Sequence, residues 1–145
     1  MTLQLLTKKT CPEPDWKILA NLIERGGLNA RDPQLVAQAF TNSTFCWYGF
    51  HDGKLIATAR AISDLTWASY LADVVVDPDY QGRGYGAQLM DEIAQTLLPF
   101  GKIFIYSVCD KVEFYKHYNF HLLTTGMVAA SDERISAMRQ QGYIA

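Results

Sequence analysis

The sequence predicts an α+β fold with a mixed sheet, in the order β-αα-βββ-α-β-α-β and with a further strand near the end. Three observations carry that expectation. A short apolar start is followed by two one-sided helical patterns separated by Gly26-Gly27. From Thr44 the texture changes to β-branched, aromatic and small residues, and it stays so to Val76. Three consecutive valines then give way to a glycine-rich loop and another amphipathic helix.

Taken in order, Leu3–Leu6 is apolar and ends at a polar break, which suits a first strand. Pro12 and Pro14 punctuate, and Asp15 is a good N-cap for a helix over Trp16–Arg25. Trp16, Leu19, Ala20 and Ile23 stand at i, i+3, i+4 and i+7, one face of a helix. Asp32-Pro33 restarts a helix to about Phe40, with an N-cap followed by Pro at the first helical position. Thr44–Phe50 and Lys54–Ile62 read as strands joined through His51-Asp52-Gly53, and Asp-Gly is a strong tight-hairpin signal. His51, placed in that turn, reads as a solvated side chain. A third strand covers roughly Trp67–Val76, buried on both faces at its valine end, and Asp77-Pro78 stops it. Gly84 to about Leu98 is helical, with Leu89, Met90, Ile93 and Leu97 on one stripe, and Pro99 with Gly101 closes it. Lys102–Val108 reads as a strand and Lys111–His117 as a short helix. Phe120–Leu123 and Gly126–Ala129 read as terminal strands, and Ser131–Gln141 as a last helical turn or two.

Composition bounds the function. A chain of 145 residues with 49% hydrophobic and 19% charged residues suits one globular domain over 1–145 with a real core. A net charge of −2 disfavours nucleic acid and anionic membrane as general partners. Met1–Thr10 lacks the long apolar region of a signal peptide, and no apolar run approaches the roughly 20 residues of a membrane span. Cys11, Cys46 and Cys109 are odd in number and far apart, which fits free thiols in a reducing cytoplasm. His117 and His121 have no metal-ligand partners at sensible spacing, so no metal is expected.

The informative segment is the junction Val74-Val75-Val76-Asp77-Pro78-Asp79-Tyr80-Gln81-Gly82-Arg83-Gly84-Tyr85-Gly86, ahead of a helix. Glycines at alternate positions let successive backbone N–H groups face one concavity. The helix adds its unpaired N-terminal donors and the positive end of its dipole, the latter worth only about 0.3–1 kcal/mol. Arg83 adds a full positive charge. Strand, anion-cradling loop and helix together point to a phosphate-bearing cofactor. A Walker loop would need Gly-Lys-Ser/Thr, and here Tyr85 follows Gly84. The dinucleotide fingerprint places its third glycine one position later and opens a parallel βαβ unit, whereas this loop follows an antiparallel-looking meander.

Gln81-Gly82-Arg83-Gly84-Tyr85-Gly86 resembles the (Gln/Arg)-x-x-Gly-x-(Gly/Ala) motif of the GNAT superfamily of N-acetyltransferases. Val-Asp-Pro-Asp-Tyr at 76–80 looks like its usual lead-in. Phe114-Tyr115-Lys116-His117-Tyr118-Asn119-Phe120 resembles the family's Phe-Tyr-x-x-x-Gly-Phe segment, with Asn119 in the glycine place. Asn is prominent among non-glycine residues at positive φ, so the change is mild. The resemblance implies the GNAT acyl-CoA N-acyltransferase fold, a central, mostly antiparallel twisted sheet of about six to seven strands flanked by helices. It implies acetyl-CoA as co-substrate and a primary amine as acceptor. Backbone groups of Val74 and Val76 would pair with pantetheine, and the amides of Gln81, Gly82, Arg83, Gly84, Tyr85 and Gly86 would hold the diphosphate. Tyr115 would stand near the CoA sulfur as general acid, with Tyr118 and Tyr106 its competitors for that role. Cys109 lies close in sequence, but acetyl transfer in the family is usually direct.

The chemistry fits these roles. A phenol of pKa about 10 is protonated at neutral pH and can donate to a thiolate whose conjugate acid lies near 8.5. An alkylammonium of pKa about 10.4 must lose a proton, which at pH 7 costs roughly 4–5 kcal/mol. Asp73, where several family members carry an acidic residue near the substrate amine, is the candidate direct base, water-relayed base or amine anchor. Its structural alternative is a buried carboxylate satisfied by neighbouring donors. Other members place a Glu or His three residues earlier, and this sequence has Tyr70 there. A catalytically silent acyl-CoA-binding sensor or partner module is the competing function. The acidic balance and Asp73 lean toward a small cationic amine, with a peptide amine the other acceptor class. The resemblance also leaves room for pairing into a homodimer through the C-terminal strands.

Overall fold

The computed structural model describes residues 3–145. Met1 and Thr2, part of the stretch read above for a targeting signal and of the 1–145 domain, lie outside the described residues. The chain forms two compact units, one ending at Ile105 and the other covering Tyr106–Ala145.

In the first unit, β1 (Gln4–Thr7), β2 (Phe45–His51), β3 (Lys54–Ser63), β4 (Ala68–Val76) and β5 (Lys102–Phe104) form one sheet in sequence order. The first four strands pair antiparallel, and β5 runs parallel to β4. The β2–β3 hairpin closes through Asp52 and Gly53 at φ 48° and 81°, the positive pair that a type I′ turn demands. Two helices, α1 (Trp16–Arg25) and α2 (Pro33–Asn42), start where the sequence places them. The Asp15 carboxylate accepts from the amides of Lys17 and Ile18, and that of Asp32 from Gln34. Their apolar faces bury Leu19, Leu22, Ile23, Val36 and Phe40 against Cys46, Tyr48, Leu55 and Val75 of the sheet. Helix α3 (Tyr85–Leu97) buries Leu89, Met90, Ile93 and Leu97, the stripe read from the sequence. Gln88 on α3 ties down the start of β1 by accepting from the Leu3 amide and donating to its carbonyl.

In the second unit a short turn leads into α4 (Val112–His117), and α5 (Asp132–Gln140) follows, capped by the Ser131 hydroxyl. Tyr115 is the one buried residue of this unit.

Among the described residues the sheet has five strands, not six or seven. Lys102–Val108 shortens to the three residues of β5, because only Ala68, Ser69 and Tyr70 of β4 stand opposite it. Phe120–Leu123 and Gly126–Ala129 are irregular, and Leu122, Leu123, Met127 and Val128 are exposed. Their apolar residues suggest strands, but a strand persists only with a ladder partner, and two strands alone are marginal in water. The mixed α/β class and the flanking helices agree with the sequence reading.

Candidate active site

The site in the first unit begins with a fault in the β3–β4 ladder. Thr58 stands opposite Val75, yet Arg60, two residues on, stands opposite Ala72, three residues back. The extra residue on β4 makes a bulge, and Asp73 within it takes φ 55°. Bulges bend the strand that carries them, and β5 accompanies β4 only as far as Tyr70. From Leu71 to Val76, β4 has no strand partner on its far side among the described residues. Backbone groups alternate in direction along a strand. The Asp77 amide donates to Ile56 of β3 at 2.7 Å, so the groups of Val76, and by the same alternation Val74, face the open edge. The Gln81 side chain occupies one of them, donating to the Val76 carbonyl at 3.0 Å.

The loop beyond is fixed at its root and open at its tip. Asp77 caps the turn Pro78–Tyr80 by accepting from the Asp79 amide, and Arg25 at the end of α1 bridges Asp77 and Asp79 at 3.0 and 3.1 Å. Burial opposes the charge on Asp77, but the Arg25 hydrogen bond and the Asp79 amide prevail and hold its pKa below the usual carboxylate value. Gly82 and Gly84 take φ 79° and 83°, and a Cβ on either would meet nothing within 4 Å. Gly84 is the N-cap of α3 and brings no side chain to its amides, so the first turn keeps its donors available for a ligand. This is a cradle for a diphosphate in shape and polarity. Arg83 stacks over the Tyr80 ring at 4.9 Å, with Lys54 over the same ring at 5.2 Å. Tyr85 is different from its neighbours in the motif. Its side chain is buried, and its hydroxyl makes a 2.8 Å hydrogen bond with Nδ1 of His51.

His51 corrects the sequence reading. It is the last residue of β2, largely enclosed, and packs on Tyr80 and Tyr85. It braces the loop instead of facing solvent, and an aromatic neighbour in the loop was the only available signal.

Asp73 sits at the centre of an ion cluster. Its Oδ2 accepts from Nε of Arg60 at 2.7 Å and from the Arg31 guanidinium at 2.8 Å. Its side chain is only 6% exposed. Burial would raise its pKa, yet the hydrogen bonds and charges of Arg31 and Arg60 outweigh burial and hold it below the usual value. Sequence reasoning missed both arginines. Arg60 had a signal, as a lone charge within Ala57-Thr58-Ala59-Arg60-Ala61-Ile62. Arg31, in the loop between α1 and α2, had none.

Tyr115 belongs to the second unit. It packs against Phe114 and Phe120 with ring centroids 5.1 and 5.6 Å away, and burial pushes its pKa up to about 12. Asn119, in the expected glycine place, adopts φ 67° as the substitution argument requires. Among the described residues no cluster of three or more His, Cys, Asp or Glu is arranged to hold a metal ion, and no helix is long and apolar enough to cross a membrane.

Comparison with known proteins bears on these features. Over 74 residues the chain is 39% identical to a histone acetyltransferase of Glycine max, a match covering 50% of this chain and 32% of the relative. The chain thus spans about a third of the length of the curated relatives it matches. A crystal structure from Xanthomonas campestris pv. campestris, of a protein belonging to the GNAT family, superimposes with TM-score 0.69 and 27% identity over 88% of this chain and 94% of that one. An acetyltransferase structure from Clostridium acetobutylicum, solved with acetyl-CoA, shares the fold at TM-score 0.64 and 15% identity, covering 89% of this chain and 96% of that one. The family model for the acetyltransferase (GNAT) family matches residues 15–120, from the cap of α1 through the glycine loop to the Phe-Tyr segment. This chain belongs to the acetyltransferase (GNAT) family.

Proposed function

We propose that the chain is an acetyl-CoA-dependent N-acetyltransferase in which a primary amine takes the acetyl group by direct attack. One observation carries this reading: the edge of β4 beyond Tyr70, which has no strand partner among the described residues, runs into a glycine loop and the start of a 13-residue helix with no side-chain cap. Backbone groups of Val74 and Val76 would hold the pantetheine amides. The amides of Gln81, Gly82, Arg83, Gly84, Tyr85 and Gly86 would hold the diphosphate, with charge added by the Arg83 guanidinium. When bound, acetyl-CoA supplies its acetyl group as a thioester, activated toward nitrogen. In this reading residues 1–145 act as one catalytic domain, and the free thiols suit the cytoplasm.

Tyr115 is the proposed proton donor to the departing sulfur. With a pKa of about 12 it is protonated at every working pH. Complete transfer to a thiolate of conjugate pKa about 8.5 is uphill by about 5 kcal/mol. A hydrogen bond donated by Tyr115 stabilises the thiolate, and the thiolate is then protonated from the solvent pool that receives the proton lost by the amine, which avoids that cost. Asp73, held ionised by two guanidinium groups, is a weak base, so water receives the amine's proton and Asp73 organises the arginines. A small-molecule amine is the proposed acceptor, and a protein amine, suggested by the name of the Glycine max relative, is the alternative.

The test is thermal stability with acetyl-CoA, CoA, ATP and NAD, followed by CoA release across an amine panel. A hundredfold excess over Kd stabilises by about 2.7 kcal/mol. The expected result is stabilisation by acetyl-CoA and CoA, amine-stimulated release, and loss of most of kcat in Tyr115→Phe with acetyl-CoA binding retained. Stabilisation by ATP and not CoA would sink the reading. Binding with no release on any amine would favour the acyl-CoA sensor.

A further inference from the structure

The geometry points to Lys54, at the start of β3 and outside the glycine motif, as the residue that binds the phosphate monoester on the ribose of CoA. The β2–β3 hairpin then belongs to the cofactor site and selects CoA over a coenzyme that lacks this phosphate. This inference rests on the acetyl-CoA reading above and deepens it.

The argument starts from position. Lys54 stands opposite His51 across the hairpin that Asp52 and Gly53 close. His51 is tied to the start of α3 by its 2.8 Å hydrogen bond with the Tyr85 hydroxyl, and its ring packs on that of Tyr80 at 5.2 Å. The hairpin tip is thus fastened to both ends of the glycine loop, to Tyr80 before it and Tyr85 after it. The Lys54 ammonium lies over the Tyr80 ring at 5.2 Å, and the Arg83 guanidinium lies over the same ring at 4.9 Å. A residue remote from the loop in sequence therefore sets a second full positive charge beside the cradle.

The cations around the loop differ in what holds them. Arg25 is engaged by Asp77 and Asp79. Lys54 and Arg83 are exposed, and among the described residues they rest on the Tyr80 ring with no ion pair or hydrogen bond. Asp52, the neighbouring carboxylate on the hairpin, stands 3.4 Å from Nε2 of His51 instead. Lys54 acts on Asp77 only through space, as a minor contribution beside the Arg25 bond. An exposed cation–π contact is weak compared with a charge-assisted hydrogen bond to phosphate, and it leaves the three N–H donors of the ammonium unspent. The ring holds Lys54 in place without consuming it.

The chemistry of the ligand supplies the rest. CoA carries its charge at two places, a diphosphate and a phosphate monoester, and a monoester holds about −1.5 to −2 at neutral pH. The backbone amides of the cradle give hydrogen bonds but no net charge. Arg83 lies within the loop and serves the diphosphate. Lys54, on the neighbouring hairpin, is the charge left for the monoester, and a compact ammonium suits a phosphate as a point charge.

The test is calorimetric titration of the full chain with CoA and with dephospho-CoA, which lacks only the monoester. The wild type should bind CoA about tenfold or more tighter than dephospho-CoA, the scale of one hydrogen bond to a charged group. Lys54→Gln should bring that ratio toward one while leaving the dephospho-CoA Kd within about twofold of wild type, which also shows that the variant is folded. Lys54→Arg, which keeps the charge, should restore at least part of the ratio. Arg83→Gln should weaken both ligands. Equal binding of the two ligands by wild type overturns the inference and leaves the acetyltransferase reading standing. A preference unchanged in Lys54→Gln, or an equal loss of both ligands in that variant, also overturns it, since Lys54 then has no role at the monoester. A chain that binds neither ligand sinks the acetyltransferase reading and this inference with it.

Discussion

Asp73→Asn separates charge from backbone geometry. Asn tolerates the left-handed φ of 55° about as readily as Asp, so the bulge keeps its conformation while the anion is lost. The bonds from Arg60 and Arg31 at 2.7 and 2.8 Å lose their charge, and Arg60 remains largely out of water. Removing one partner of a buried pair costs about 3–5 kcal/mol. Arg31 is open enough to be hydrated in compensation, which favours the lower end, about 3 kcal/mol. With a urea dependence of about 1–3 kcal/mol per molar, the unfolding midpoint should fall by about 1–3 M. Urea unfolding followed by tryptophan emission at pH 7 reads this directly. The pH dependence has a definite sign. Asp73 titrates below the usual carboxylate value in the folded chain, so its contribution is complete above the unfolded value of about 3.9 and is lost as pH falls through the depressed folded value. Wild type and variant should therefore converge on the acid side. Equal midpoints at pH 7, or a gap that widens as pH falls, would show that the cluster is not held by Asp73 as argued.

Two other substitutions probe the frame around the loop. Gly26 ends α1 at an ordinary φ of −74°, but a Cβ there would stand 2.3 Å from Cγ1 of Val75. Gly26→Ala should lose about 1–2 kcal/mol by overcrowding, with part recovered in the double variant with Val75→Ala; higher stability in the single variant would refute the contact. Gly84→Ala has space around it and meets only the cost of φ 83°, about 1–2 kcal/mol. It should also weaken acetyl-CoA binding more than tenfold by calorimetry, and an unchanged Kd would remove Gly84 from the proposed cofactor site.

The parts of the fold that depend on local chemistry were readable in the sequence. Asp15 and Asp32 cap helices because their side chains reach amides two or three residues on. Asp52-Gly53 turns a hairpin because both residues tolerate positive φ. Gly82, Gly84 and Asn119 stand where the left-handed region was expected. What depends on partners distant in sequence was not readable. Phe120–Leu123 and Gly126–Ala129 have the residues of strands and lack ladders, which no local pattern reveals. The cluster at Asp73 joins residues 42 and 13 positions apart in sequence, so spacing could not announce it. His51 was misread for the same reason, since Tyr85 lies 34 residues away.

Asp73 shows how one residue can carry two of these constraints. The bulge requires a residue that accepts positive φ, and glycine would meet that need with least strain. Glycine would also leave the guanidinium of Arg60 enclosed without an anion. Asp is among the few other residue types that enter the left-handed region with ease, and it is the one among them that carries negative charge. The bend that leaves the β4 edge open and the charge that fixes Arg31 and Arg60 beside it are thus set at a single position. Substitution by Gly should preserve the first and abolish the second, and substitution by Glu should strain the first while keeping the charge. Acetyl-CoA binding that survives Asp73→Gly and weakens in Asp73→Glu would show that bend and charge act separately.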